Sequence, residues 1–560
     1  MTRPADYPPP FDTDEFVAAP TDPAEERIEV GVLIVGAGPA GLACAIRLGQ
    51  LLEDAPETAE RLGEVPIAVL EKGKAVGAHL VSGAVVNPRG LRRLFRGRGI
   101  SIEDVPSYGR VEHESVYYLT PRGSIRIPTP PTMRNDGNFV ASLSQLSRWL
   151  GEQAEAAGAV ILPETTAERL LLTGARTVGV RTGDKGRGRD GEPLPNFEPG
   201  SDVTAKVTVL AEGTQGHLTG AAIDRLGLAG ENPQVWALGV KEVWKVSRPL
   251  DRVIHTMGWP LRGGRKYREF GGSFIYPMGE DMVTLGLVVG LDYRDAELSV
   301  HDLLQELKTH KLVRRILEGG ERIGWGAKTI PEGGFLAFPQ RFHASGLLLC
   351  GDGVGFVNVP ALKGIHYAIE SGRLAAEAAF AALQPGRTPW TPGALASYDE
   401  SLRETYVWKD LERVRNMRPA FAHGILMGGA VAGAATASFG KLPARDMRTE
   451  PDGAQTLIRT NRSTRYPAPD GKLTFDKLSS VYLSGNKTRD DAPNHLRVRT
   501  DVPEEIALLW ERMCPAQVYE AKDGGVEVTP SNCVQCGAIT AKGGRLTPPE
   551  GGSGPEYKLT

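Results

Sequence analysis

Three cysteines near the end of the chain, Cys514, Cys533 and Cys536, are of the residue type that ligates iron or zinc, and two of them form a Cys-x-x-Cys pair. Soft thiolates at that spacing suit an iron–sulfur cluster or a zinc ion. Toward the other end stands Gly36-Ala37-Gly38-Pro39-Ala40-Gly41, a loop that lets backbone N–H groups approach a pyrophosphate. A chain with both features points to two redox centres in series, and so to electron transfer rather than hydrolysis.

The glycine loop needs a strand before it and a helix behind it. The apolar run Val30 to Val35 supplies the strand, and the pattern predicts a helix from Pro39 to about Leu52. Gly36 permits the tight turn, Gly38 the approach to phosphate, and Gly41 the close packing of helix on strand. Pro39 and Ala40 open the helix, whose N-terminus faces the phosphates. A second strand, Ile67 to Leu70, ends at Glu71, where an acid accepts from an adenosine ribose hydroxyl, with a polar loop from Glu53 to Val65 inserted before it. Farther on, the apolar strand ending at Cys350 runs into Gly351-Asp352, and Asp352 could accept from a ribityl hydroxyl. Gly364 then leads into a helix from Ile365 to Leu383, whose N-terminal dipole would favour the charge of a reduced flavin. This late segment favours FAD over NAD.

Ser142 and Gln145 read as a capping box for a helix to Ala157. Two strands flank a polar loop from Gly183 to Asp202, and the second ends at Ala211-Glu212-Gly213. Flavin-domain pieces are thus expected at 29–115, 140–220 and 335–400. A mainly antiparallel sheet, at 116–139 and 221–334, is inserted between them. Residues 1–28 read as a flexible, solvated arm, and 401–560 carry an apolar segment and the cysteines. The fold class is α/β, α+β overall.

The 560 residues exceed one simple core, and 65 basic against 68 acidic side chains give a net charge of −3. That balance offers no polycationic field, so nucleic acid is excluded as a partner. Cys44 and Cys350 sit in apolar stretches and read as buried small hydrophobes. With no export signal in Met1 to Pro20, the thiols are expected in a reducing compartment.

These residues resemble the electron transfer flavoprotein:ubiquinone oxidoreductase family over nearly the whole chain. The resemblance lies in Gly-Ala-Gly-Pro-Ala-Gly-Leu from Gly36, Leu-Ser-Gln-Leu-Ser-Arg-Trp-Leu-Gly-Glu-Gln-Ala-Glu from Leu143, and Glu-Gly-Thr-Gln-Gly-His-Leu from Glu212. It continues in Gly-Gly-Ser-Phe-Ile-Tyr from Gly271, Gly-Phe-Val-Asn-Val-Pro from Gly355, and Pro-Glu-Gly-Gly-Ser-Gly-Pro-Glu-Tyr from Pro549.

The resemblance implies an electron-transferring-flavoprotein dehydrogenase that takes electrons from electron transfer flavoprotein and reduces ubiquinone or menaquinone. It implies a flavin domain of the glutathione-reductase/hydroxylase type, an inserted quinone domain and a C-terminal ferredoxin-like domain holding a 4Fe-4S cluster. Gly271, Gly272 and Gly290 match its quinone-binding strands, where a bulge is the plainer reading. Pro419 to Gly440, uncharged throughout, and more loosely Tyr117 to Thr132, match its membrane-facing pieces. A monotopic protein on the cytoplasmic face of a bacterial inner membrane is the resulting expectation. Tyr519 matches a position beside the cluster. Arg89 to Arg98 could meet an acidic partner or anionic lipid, with a solvated face as the plainer reading.

One position departs from the family pattern. Where its Cys-x-x-Cys-x-x-Cys run has the last cysteine, this chain has Ile539. Three thiolates could hold a four-iron cluster with a non-cysteine fourth ligand or a three-iron cluster, or the thiols could be free, and a zinc site is also open. Rival readings are a FixC-like or geranylgeranyl-reductase-like flavoprotein and a non-catalytic flavoprotein docking module.

Overall fold

In the computed structural model, which describes residues 2–22 and 26–560, the apolar run becomes the strand Ile28–Val35 inside a nine-stranded sheet. Every residue from Val30 to Val35 is buried, because both sheet faces are covered. The strand pairs in parallel with Asp202–Leu210 on one side and Ile67–Leu70 on the other. Leu347–Leu349 joins Asp202–Leu210 in parallel, with Leu349 opposite Leu210. The glycine loop, Glu212-Gly213 and Gly351-Asp352 therefore all emerge at the carboxyl ends of neighbouring strands.

The helix Pro39–Glu53 comes directly after the first of these loops, and Ile365–Ala382 follows the last after an intervening turn and loop. They cross so closely that a side chain at Gly372 would overlap the Ala40 carbonyl oxygen.

A second, seven-stranded sheet runs in the order Glu321–Pro331, Trp236–Lys245, Met282–Gly290, Gly271–Pro277, Val253–Gly258, Glu114–Leu119, Ser124–Ile127. All neighbours are antiparallel except Val253–Gly258 with Glu114–Leu119. The C-terminal segment adds the helix Glu504–Met513 and a hairpin of Tyr519–Lys522 with Gly525–Val528. Trp510, Met513, Cys533 and Ile539 pack in one hydrophobic core with Leu238, Leu285 and Trp325 of the second sheet. The cysteine-bearing segment thus shares that sheet's core. Truncating a buried tryptophan such as Trp510 typically costs about 3–5 kcal/mol.

Several local expectations are corrected. The N-terminal segment is no solvated arm over its described residues: Phe16 is buried against His217, and Val17–Ala18 pairs in parallel with Leu170–Leu171. Two aromatic side chains, Phe11 and Phe16, outweigh its polar composition. Met1 and residues 23–25 of that expected arm lie outside the described residues.

The loop from Gly183 to Asp202 contains a hairpin, Lys185–Arg187 with Pro193–Glu198, and the loop from Glu53 to Val65 a short helix, Pro56–Glu60. Ser142 does cap the helix Leu143–Ala156, accepting from the Gln145 N–H. The Gln145 side-chain Oε1 instead accepts from the Tyr108 hydroxyl at 2.9 Å, so the reciprocal half of the capping box is absent. Of the basic stretch, Arg89, Arg93 and Arg98 form ion pairs within the chain, with Asp410, Glu370 and Glu53 respectively.

Candidate functional site

At the first nucleotide loop, backbone geometry separates glycines required by the fold from one that serves a ligand. Gly36 takes a left-handed φ of 106°, and a side chain at Gly41 would overlap the Gly36 carbonyl oxygen. Gly38 has an ordinary φ of −86°, and a Cβ there would meet only open space. Its missing side chain leaves a cradle beside the uncapped N-terminus of Pro39–Glu53, which suits an anion.

Glu71 stands alongside. It accepts from the Ala37 N–H at 3.1 Å and the Gly73 N–H at 2.7 Å, and burial raises its carboxyl above the usual range. Gly213 also presents open space where a Cβ would lie. Glu212, expected to contact the cofactor, also caps the next helix: its carboxylate accepts from the Leu218 and Thr219 N–H groups and the Thr219 hydroxyl.

Asp352 lies by the N-terminus of Ile365–Ala382, its Oδ1 3.6 Å from where a Cβ on Gly364 would stand, and burial pushes its carboxyl up to about 6. A buried carboxylate here is ready for a hydroxyl donor. The open cradle at Gly38 and Gly213 and the acceptor at Asp352 fit FAD.

The three C-terminal cysteines line one cavity. Two left-handed non-glycine residues, Gln517 at φ 51° and Gln535 at φ 53°, turn the backbone around it. Those turns aim the Val518 N–H at Cys514 Sγ, at 3.4 Å, and the Gln535 N–H at Cys533 Sγ, at 3.3 Å. Such N–H to sulfur bonds tune and hold cluster thiolates. Burial pushes Cys536 up to about 12, and Cys514 and Cys533 upward as well, so these thiols are poor nucleophiles without a metal.

Among the described residues no three His, Cys, Asp or Glu side chains converge on a single ion position, which zinc would require. A cluster spreads its ligands around a cage, and three cysteines lining one cavity are the donor set that suits it. Tyr519 is buried on the cavity wall, and burial together with the three thiols pushes its phenol upward.

The cluster cavity is joined to the flavin side by groups that the sequence did not single out. The Thr329 hydroxyl and N–H both donate to the Cys536 carbonyl oxygen at 2.9 Å, and the same hydroxyl lies 2.9 Å from that of Thr214, next to Gly213. Lys328 donates to the Gln535 carbonyl oxygen at 3.0 Å, and burial, then the charge of Lys72, pushes it down to about 7. A lysine in the otherwise apolar run Trp325-Gly326-Ala327-Lys328 was the available signal. Lys72, lowered by burial, sits within the electrostatic reach of Glu71, Glu212 and Cys533.

In the second sheet, side chains at Gly271 and Gly272 would overlap the carbonyls of Val288 and Thr256, while one at Gly290 would meet the Arg418 guanidinium. Backbone packing within the chain therefore accounts for Gly271 and Gly272, whereas at Gly290 only side-chain ends stand in the way. Lys241 crosses from this sheet to the flavin domain, donating to the Ser82 carbonyl oxygen at 2.7 Å, and burial pushes it down to about 7.

Arg418, buried between Asp292 at 2.8 Å and Glu332 at 2.6 Å, anchors the next stretch of chain, a left-handed Gly424 and the helix Ile425–Ala437. That helix is apolar on every face, yet Leu426 is 88% exposed and Met427 55%, with Phe439 and Leu442 exposed just beyond. No helix among the described residues is long and apolar enough to cross a membrane.

The described geometry has counterparts in known proteins. A family model described as ETF-QO, ubiquinone-binding, matches residues 236–330, and one described as electron transfer flavoprotein-ubiquinone oxidoreductase, 4Fe-4S, matches 471–558. The chain is 39% identical to the mitochondrial electron transfer flavoprotein-ubiquinone oxidoreductase of Arabidopsis thaliana, over 96% of this chain and 86% of that one. It is 36% identical to a probable electron transfer flavoprotein-ubiquinone oxidoreductase of Acinetobacter baylyi, over 95% and 98%. In fold it is similar to a geranylgeranyl bacteriochlorophyll reductase-like protein from Thermoplasma acidophilum, with a TM-score of 0.55 and 16% identity over 78% of this chain and 95% of that one. By sequence over nearly its full length, and by the cavity and cradle that its residues build, the chain belongs to the electron transfer flavoprotein-ubiquinone oxidoreductase family.

Proposed function

We propose that this chain takes electrons from reduced electron transfer flavoprotein at its cysteine-lined cavity and delivers them, through the flavin cradle, to a quinone reached from a membrane surface. The observation that carries this reading is the hydrogen-bonded continuity from Cys536 through Thr329 to Thr214, which ties the cysteine-lined cavity to the turn beside Gly213. When bound, an iron–sulfur cluster supplies one-electron transfer and FAD the pairing of electrons that a quinone needs.

The chain's own residues hold, orient and insulate. Cys514, Cys533 and Cys536 would ligate the cluster, with backbone N–H groups steadying two of the sulfurs. Gly38 and the helix N-terminus behind it would receive the pyrophosphate, Glu71 the adenosine ribose and Asp352 the ribityl chain. Buried Leu, Val and Trp side chains keep water from the shared core. The quinone site is proposed beside the second sheet near Gly271, Gly272 and Gly290. The exposed apolar helix Ile425–Ala437, about 20 Å long at ~1.5 Å per residue, would enter one leaflet of a bacterial inner membrane from its cytoplasmic face. Geranylgeranyl-reductase-like and FixC-like readings leave the cysteine-lined cavity without a use.

Cys533→Ser tests the reading. The variant is expected to keep its FAD absorbance while losing iron, sulfide and electron uptake from electron transfer flavoprotein. Undiminished uptake in a variant shown to lack iron would refute the route.

A further inference from the structure

The cysteine-lined cavity presents three thiols, and where the family pattern has a fourth it presents Ile539. A four-iron cubane presents an iron at each of four corners, each needing its own ligand, and cysteine supplies three here. Ile539 stands three residues beyond Cys536, on the short helix Ala538–Ala541, and it is 5% exposed. Its side chain is packed so tightly that a Cβ on Gly544 would overlap it. The rest of the wall carries no carboxylate, imidazole or amide side chain; its side-chain heteroatoms are the Met513 thioether and the Tyr519 phenol, among aliphatic residues such as Val518, Val534 and Leu546. Cys44 and Cys350, the chain's other thiols, are buried in the flavin-domain core. An iron beside Ile539 would face branched hydrocarbon, and for a water ligand the wall offers the Tyr519 hydroxyl as its single side-chain hydroxyl partner.

We propose that this cavity holds a three-iron, four-sulfide cluster, with the corner that would carry the fourth iron filled by Ile539. The inference rests on reading the cavity as a cluster site. It concerns which cluster is held, and it leaves a one-electron centre at the same place. The chain's three thiolates then match the irons one for one, and no iron lacks a protein ligand.

Iron and acid-labile sulfide, counted against FAD in anaerobically purified full-length protein, test this together with EPR. The expected result is three irons to four sulfides, a signal in the oxidised protein, and its loss on one-electron reduction. Ile539→Cys is expected to raise the count to four irons and move the paramagnetism to the reduced state.

Four irons to four sulfides in the unsubstituted protein, retained after ferricyanide and a chelator, would overturn the three-iron assignment while leaving the cluster reading intact. Absence of sulfide would overturn both. The count on the unsubstituted protein decides the matter even if Ile539→Cys does not fold. Tyr519→Phe, which removes the one side-chain hydroxyl on the wall, is expected to leave the count unchanged; a drop by one iron would overturn the proposal by revealing a phenolate ligand.

Discussion

Thr329 grips Cys536 twice: its backbone N–H and its hydroxyl both donate to the cysteine's carbonyl oxygen, each at 2.9 Å. One residue of the second sheet thereby fixes the peptide that carries a cluster thiolate and, through Thr214, meets the turn beside Gly213. Thr329→Val keeps shape and removes the hydroxyl, leaving that of Thr214 without its partner. We expect a loss of about 1–2 kcal/mol in urea unfolding and faster release of iron to a chelator, with FAD content unchanged. Equal iron-release rates in the two proteins would contradict the bridging role.

The two kinds of glycine in the nucleotide loop should fail differently. Gly41→Ala drives a methyl into the Gly36 carbonyl oxygen and should compromise folding itself. Gly38→Ala enters open space at an ordinary φ, so the protein should fold. Its FAD affinity should drop by about tenfold or more, equivalent to about 1.4 kcal/mol, as read by fluorescence titration of apoprotein. Full FAD affinity in Gly38→Ala would show that the open space faces something else.

Lys241 predicts a pH dependence of stability. Burial pushes its ammonium down to about 7, whereas in the unfolded chain it titrates near its ordinary value of about 10.4. Between those values the unfolded chain binds the extra proton, so this group makes stability rise with pH, by up to about 1.4 kcal/mol per unit. Below pH 7 both states are charged and the full burial penalty stands. Lys241→Met should therefore gain most over the unsubstituted protein below pH 7, and the difference should shrink toward pH 10. Thermal midpoints of the two proteins across that range would check it, and a pH-independent difference would count against a buried, shifted lysine.

The exposed apolar helix should matter for the surface and not for the chemistry. Leu426→Asp combined with Phe439→Ser removes two large exposed side chains, each worth about 1.5–3 kcal/mol when fully buried. Co-sedimentation with lipid vesicles should weaken by at least about tenfold, and reduction of a long-chain quinone in vesicles should fall with it. Reduction of a short-chain, water-soluble quinone should persist. Unchanged vesicle binding would remove this helix from the membrane-facing surface.

What the sequence disclosed depended on how local each signal is. The strand Ile67–Leu70 matched its expected bounds, and the glycine loop fell between strand and helix as expected, because a few contiguous residues decide such features. Cys514, Cys533 and Cys536 do line one cavity. The contact between Thr214 and Thr329 could not be read, because 115 positions separate two ordinary threonines that meet only when both sheets form. The capping by Glu212 was not legible, because its place in a motif says nothing about which backbone groups its oxygens will find, and the nearest were the N–H groups at the start of His217–Arg225. The packed N-terminal segment was concealed by its prolines and acids, although Phe11 and Phe16 held the contrary signal.

The crossing of Ala40 and Gly372 works as a caliper. From Ile365 to that crossing is about 11 Å of helix at ~1.5 Å per residue, and the crossing itself lies at the very start of Pro39–Glu53. Two electropositive helix tips are thereby held at a set separation, one proposed above for phosphate and the other suited to a second anionic edge. A molecule with a shorter tether between its two anionic ends would touch one tip and miss the other. Bulk introduced at Gly372 would open the jaws and loosen the grip at both ends, though it touches neither.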